Sequence, residues 1–87
     1  MYHRVREVRP LRDFGLLLTF DNGELRRFDV RPYLDRGIFV ALRDPSLFDA
    51  VRVSFDTVEW PNGADLCPEV LYEESVAVKE PANVPTP

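Results

Sequence analysis

The tetrad Asp21-Asn22-Gly23-Glu24 separates two runs of alternating apolar residues, and it narrows the folds open to this chain more than any other feature. Asn-Gly suits a two-residue type I′ turn, because both central positions need positive φ and these residues tolerate it best. Upstream, Phe14, Leu16, Leu18 and Phe20 share one face of a strand, with Leu17 and Thr19 on the other. Downstream, Arg26, Phe28 and Val30 take one face, and Leu25, Arg27 and Asp29 the opposite one. Residues 14–20 therefore read as a central strand and 25–30 as its half-exposed partner. A further strand runs from about Tyr2 to Leu11, although Val5 and Val8 break a strict period of two. Either a β-bulge near Arg6 or pairing that ends early reconciles them. Asp13-Phe14-Gly15 makes the tight connection into the next strand, so residues 1–30 form a three-stranded antiparallel meander.

Residues 31–50 change character. Pro32 and Pro45 each fit the first turn of a helix, where the missing amide has no intrahelical acceptor to lose. Asp44 is placed to cap the second of these, which turns Leu47 and Phe48 toward the sheet. Ile38, Phe39 and Leu42 are spaced for another single turn. None of these stretches is long enough to be helical without tertiary packing. Val51, Val53 and Phe55 alternate with Arg52 and Ser54 as a short strand, and Val58 to Trp60 returns after a turn at Asp56-Thr57. Pro68 opens one more helix, to about Ser75, with Leu66, Val70 and Leu71 on its apolar side. The fold class is thus α+β: one domain over residues 1–76, a small antiparallel meander of about three to five strands with two or three short helices. Residues 77–87, with prolines at 81, 85 and 87, are expected to be a disordered tail.

The net charge of −4 is unevenly distributed: residues 1–36 balance to +2, residues 37–52 to zero and residues 53–87 to −6. Arg4, Arg6, Arg9 and Arg12 are the one candidate basic cluster, with Arg26 and Arg27 alongside. Nucleic-acid binding needs such a cluster on one surface, but charges along a strand edge more simply deter edge-to-edge pairing. No apolar run approaches the roughly 18 residues of a membrane span. No apolar stretch follows Met1-Tyr2-His3-Arg4, so no signal peptide is indicated and a cytoplasmic location is expected. A single cysteine, Cys67, excludes an intrachain disulfide or cysteine-rich zinc site, and a single histidine, His3, excludes any site that needs two. The serines have no base but His3 at the chain end, so no nucleophilic triad can be assembled. Cys67 reads as a small half-buried hydrophobe. Asp65, Glu69 and Glu73 lack calcium-loop spacing, and solvated acids are the simpler reading. No phosphate-loop or dinucleotide glycine pattern is present. These absences lead us to expect a protein that is not an enzyme, with no catalytic residue, metal or cofactor.

Trp60-Pro61-Asn62-Gly63-Ala64-Asp65 stands apart as strong turn chemistry before a helix. It has two readings. In one, it is a rigid strand-to-helix corner with Trp60 plugging the core and Asp65 accepting backbone N–H bonds. In the other, Trp60, Asn62, Asp65, Glu69 and Tyr72 form an exposed interaction corner, since tryptophan and fixed polar groups make interface hot spots. Exposure of the Trp60 indole separates them.

Several segments together resemble a family of small bacterial proteins, domain of unknown function 2442. They are Leu18-Thr19-Phe20-Asp21-Asn22-Gly23-Glu24, Phe28-Asp29-Val30, Pro32-Tyr33-Leu34, Gly37-Ile38-Phe39 with Leu42, Asp44-Pro45, Phe48, and Trp60 through Tyr72. The resemblance covers roughly residues 5–72 and implies a small α+β unit like the N-terminal domain of a Nitrosomonas hypothetical protein. Some relatives precede a helix-turn-helix DNA-binding domain, and DNA binding is not carried over to this chain. Others are short and encoded beside another small protein, in arrangements suggestive of toxin–antitoxin pairs. The family has no catalytic residues to transfer. The leading expectation is therefore a non-catalytic binding module, antitoxin-like or regulatory, with a small protein partner. The alternatives are a small-molecule-sensing domain bordered by Trp60, Tyr33 and Tyr72, and, behind it, a DNA-associated regulator. A homodimer formed through an open sheet edge is also consistent with so small a domain.

Overall fold

In the computed structural model, which describes residues 3–78, the alternating runs become β1 (Val5–Leu11), β2 (Gly15–Phe20) and β3 (Leu25–Asp29). Helix α1 (Pro45–Phe48) follows, then β4 (Arg52–Ser54), β5 (Thr57–Glu59), β6 (Asp65–Leu66), helix α2 (Pro68–Glu73) and β7 (Val76–Ala77). Two antiparallel sheets result, one in the order β1-β2-β3-β7 and the other in the order β4-β5-β6. The class is α+β, with the meander as the larger sheet. β7 pairs Arg26 with Ala77, one residue past residue 76, and residues 79–87 of the proline-rich segment lie outside the described residues.

Alternation decides which face of the larger sheet is buried. Leu16, Leu18, Phe20, Phe28 and Val30 are buried together, joined by Leu34, Leu42, Phe48 and Leu71 from the helical turns laid over them. The pairing of β1 with β2 shifts between Val5 and Glu7, so Arg6 is the bulged residue and Val5 and Val8 both turn inward. Asp44 accepts a hydrogen bond from the Ser46 amide at 3.1 Å and caps α1 as its position suggested. Residues 37–43 wind as a 3-10 segment that buries Leu42 and leaves Ile38 exposed.

Two turns differ from the sequence reading. The β2–β3 connection is a three-residue loop: Gly23 N–H bonds to Phe20 O, Phe20 N–H bonds to Glu24 O, and only Gly23 has positive φ, at +87°. This is a β-turn followed by a left-handed glycine, which the side chain of Asn22 completes by accepting from Glu24 N–H at 3.0 Å. Trp60-Pro61-Asn62-Gly63-Ala64 repeats the device bond for bond, with Gly63 at φ +92° and Asn62 accepting from Ala64 N–H. The other difference lies between β4 and β5. Ser54 pairs with Thr57, so the turn residues are Phe55 and Asp56, one position earlier than expected. Both have positive φ, +48° and +69°, at a cost of about 1–2 kcal/mol per residue for L side chains without glycine's freedom. Phe55 consequently leaves the strand's alternation and stands in solvent.

The two sheets meet where Val5 N–H bonds to Asp56 O at 2.9 Å, and Trp60 joins them from within. The indole is 1% exposed, and its N–H donates to Phe48 O at 3.0 Å while the ring packs against Phe48 and Phe39. Trp60→Phe removes that donor, leaves Phe48 O with the Val51 amide at 3.3 Å as its partner, and opens a gap where the larger ring was buried. We expect a loss of about 1–3 kcal/mol of stability, read as a lower urea midpoint at unchanged slope.

Candidate functional site

One face of the larger sheet is spent on the core; the other is open. Register places Arg9, Leu17 and Arg27 in one row across β1, β2 and β3, with Glu7, Thr19 and Leu25 in the next. Leu17 and Leu25 are half-buried on the face that alternation gives to solvent, and β4 stands beside them with Val51 and Val53. Together they line an open groove of about 760 Å³, within the range of ligand and peptide sites. Its floor is aliphatic, and Arg9, Arg27 and Arg52 stand along its rim with Glu7 as the one acid. Arg52 reaches Glu59 at 3.4 Å, whereas Arg9 and Arg27 make no salt bridge among the described residues. Flexible cations beside apolar strand positions favour a ligand that is itself apolar at its centre and acidic at its margin. The groove offers no nucleophile paired with a base.

The interaction corner does not assemble. Trp60 belongs to the core, which favours the structural reading of that corner. Asn62 is occupied in closing its own turn and donates to Ile38 O at 3.2 Å. It thus does the work assigned to Asp65, which lies exposed in β6 opposite Glu59. Glu69 is exposed in the first turn of α2, and Cys67, expected to be half-buried, is exposed before it. Tyr72 faces away from Trp60's neighbours: its ring meets Phe20 at 5.0 Å and His3 at 4.7 Å, and Arg26 lies over it at 4.4 Å.

The basic cluster is likewise dispersed. Arg4 lies 3.7 Å from Asp56, Arg6 is the bulge, Arg9 borders the groove and Arg12 sits in the β1–β2 turn beside Asp13. All four are exposed along an edge strand that also carries Glu7 and Pro10, features that discourage strand addition. Arg26 is withdrawn altogether: it donates to Glu24 at 2.8 Å and to the Ser75 hydroxyl at 2.7 Å. Among the described residues, no three His, Cys, Asp or Glu side chains gather as a metal site, and no helix is long and apolar enough to cross a membrane.

With the geometry in view, the comparisons add one finding: the sequence profile of a family described as protein of unknown function (DUF2442) matches residues 5–77. The chain belongs to that family. No curated protein and no solved structure matches it, so the likeness to a Nitrosomonas domain has no support among them. For this DUF2442 chain, the groove residues Leu17, Leu25 and Val53 are the ones that sequence reasoning passed over. Their signal was an aliphatic side chain at an outward position, flanked across the sheet by two arginines in the case of Leu17.

The cluster around Tyr72 fastens α2 to the hairpin and sets a pH dependence. Tyr72 donates its phenol to Glu24, which also accepts from Arg26 and Asn22, and Tyr33 donates to Glu74 at 2.6 Å. These bonds, Tyr72's first, hold the Glu24 carboxyl below its ordinary 4.5, and the same bond raises the Tyr72 phenol above 10.0. A lowered carboxyl contributes stability above its unfolded pKa and loses it as pH falls through the folded one. A raised phenol contributes below its unfolded pKa and loses it as pH rises through the folded one. Glu24→Gln is therefore expected to lie furthest below wild type in thermal midpoint at neutral pH, with the gap closing below pH 4.5.

Proposed function

We propose that this chain is a non-catalytic binding module whose small protein partner docks on the open face of the four-stranded sheet. The row Arg9–Leu17–Arg27 carries the reading: an apolar centre between two cations without salt-bridge partners among the described residues, continuous with the aliphatic wall of β4. A docking element with an apolar ridge and acidic flanks is complementary to it in shape and in charge. The acidic side of α2, with Glu69, Glu73 and Glu74 exposed, has no apolar centre and is suited to steering an approaching partner rather than seating it. An antitoxin-like or regulatory role toward a neighbouring small protein is the form of this function that the family resemblance suggests.

Co-expression with the product of the adjacent gene, followed by size exclusion, tests the proposal. Co-elution is expected, with separation of the two proteins when Leu17→Glu places an anion on the floor. Separate elution of the wild-type proteins, or co-elution unaffected by Leu17→Glu, contradicts it. The groove's volume and its arginines also favour a second reading, a sensor of amphipathic carboxylates. In that case a medium-chain fatty acid raises the melting temperature of the wild type and not of Leu17→Glu.

A further inference from the structure

We infer that in the purified protein a second copy of this chain covers the open face, each copy seating its Phe55–Asp56 turn in the other's groove. The inference rests on the open face being the docking face, and it names the occupant.

Phe55 is 97% exposed, and it stands where the backbone has positive φ at two consecutive residues without being glycine. The phenyl ring adds nothing to the packing of its own domain, and asparagine or glycine suits that backbone better. A large apolar side chain held out at the tip of a tight turn has the form of an interface anchor. The same chain supplies a matching receptor. The groove floor of Leu17 and Leu25, with Val53 on the wall beside it, is suited to a phenyl ring, and Arg9 and Arg27 are suited to the carboxylate that follows Phe55. Among the described residues the Asp56 carboxylate is paired only with Arg4, at 3.7 Å and with both side chains solvent-accessible, so it can re-pair at small cost.

The placement closes on itself. Val51 and Val53 wall the groove, and Phe55 lies two residues beyond Val53, at the turn into which β4 leads. A twofold pairing of two copies through the β4 side of the groove would seat each turn in the partner's groove and form both contacts at once. Such an isologous interface stops at two copies and leaves no free end to extend.

Sedimentation of the full chain from micromolar to near-millimolar concentration reads the outcome. The wild type is expected to shift reversibly from one mass to twice that mass. Phe55→Asn and Leu17→Glu are each expected to weaken association at least about tenfold. Phe55→Asn should melt no lower than wild type, since it removes an exposed ring from a turn that prefers asparagine. Mixing the two variants is the sharper experiment, because the mixed dimer regains one intact contact while each variant alone has none. Measurable mixed association under conditions where both variants are monomeric is the predicted result. A wild type that stays monomeric throughout, variants that associate as wild type does, or a mixture no better than either variant overturns the inference. A monomeric wild type leaves the partner reading to the co-elution experiment, whose result is independent.

Discussion

The Trp60 indole bond to Phe48 O is the interaction on which the remaining structure depends. The chain has little material for a core, and both its sheets are small. Trp60 leaves β5 and enters the space between the helical turns and the larger sheet, where a large ring buries more apolar area than any other side chain available here. Its polar N–H has to be satisfied there, and Phe48 O at the end of α1, which also takes the Val51 amide, is the acceptor. One side chain thus ties the second hairpin to α1, and α1 to the β2 face. Asn62 and Gly63 shape the loop that follows, so that β6 can return beside β5 and launch α2.

That commitment of one face leaves the other unclaimed. The second hairpin is fixed to the margin of the meander by Val5 and Asp56, and β4 stands as a wall beside the outward residues of β1 to β3. Leu17 and Leu25 are then neither buried nor fully solvated, and the arginines flanking Leu17 prevent it from reading as ordinary core. α2 is fastened at its C-terminal end by two tyrosine–carboxylate bonds, Tyr72 to Glu24 and Tyr33 to Glu74. The helix therefore serves to close the core, and the acids it displays are peripheral to the groove. The DUF2442 fold in this chain is best understood as a plate with a sealed side and an open side.

Much of this was legible in the sequence. Strict alternation in 14–20 and 25–30 identified the meander and its inward residues, and the spacing of Val5 and Val8 pointed to the bulge at Arg6. Asp44 and the prolines at 45 and 68 marked two helix starts correctly. What escaped were features set by partners distant in sequence. Asn22-Gly23 specifies a turn but not the loop length, which Asp21 N–H settles by bonding Arg4 O. Val51, Val53 and Phe55 were read as one alternating strand, whereas the turn begins at Phe55 and takes it out of that alternation. Trp60 and Tyr72, close in sequence, were grouped in one corner; the helix between them sends Tyr72 to the hairpin instead. The arginines seemed one cluster, although a bulge, a turn and an ion pair scatter them.

The division of the sheet into two faces is tested most directly at adjacent residues of β2, by thermal unfolding of Leu17→Glu beside Leu18→Glu. Leu18 is wholly buried and Leu17 borders the groove. The account predicts that Leu17→Glu unfolds cooperatively within about 1 kcal/mol of wild type, whereas Leu18→Glu, burying an unpaired carboxylate, does not fold. Equal damage from the two substitutions, or greater damage at Leu17, would contradict it.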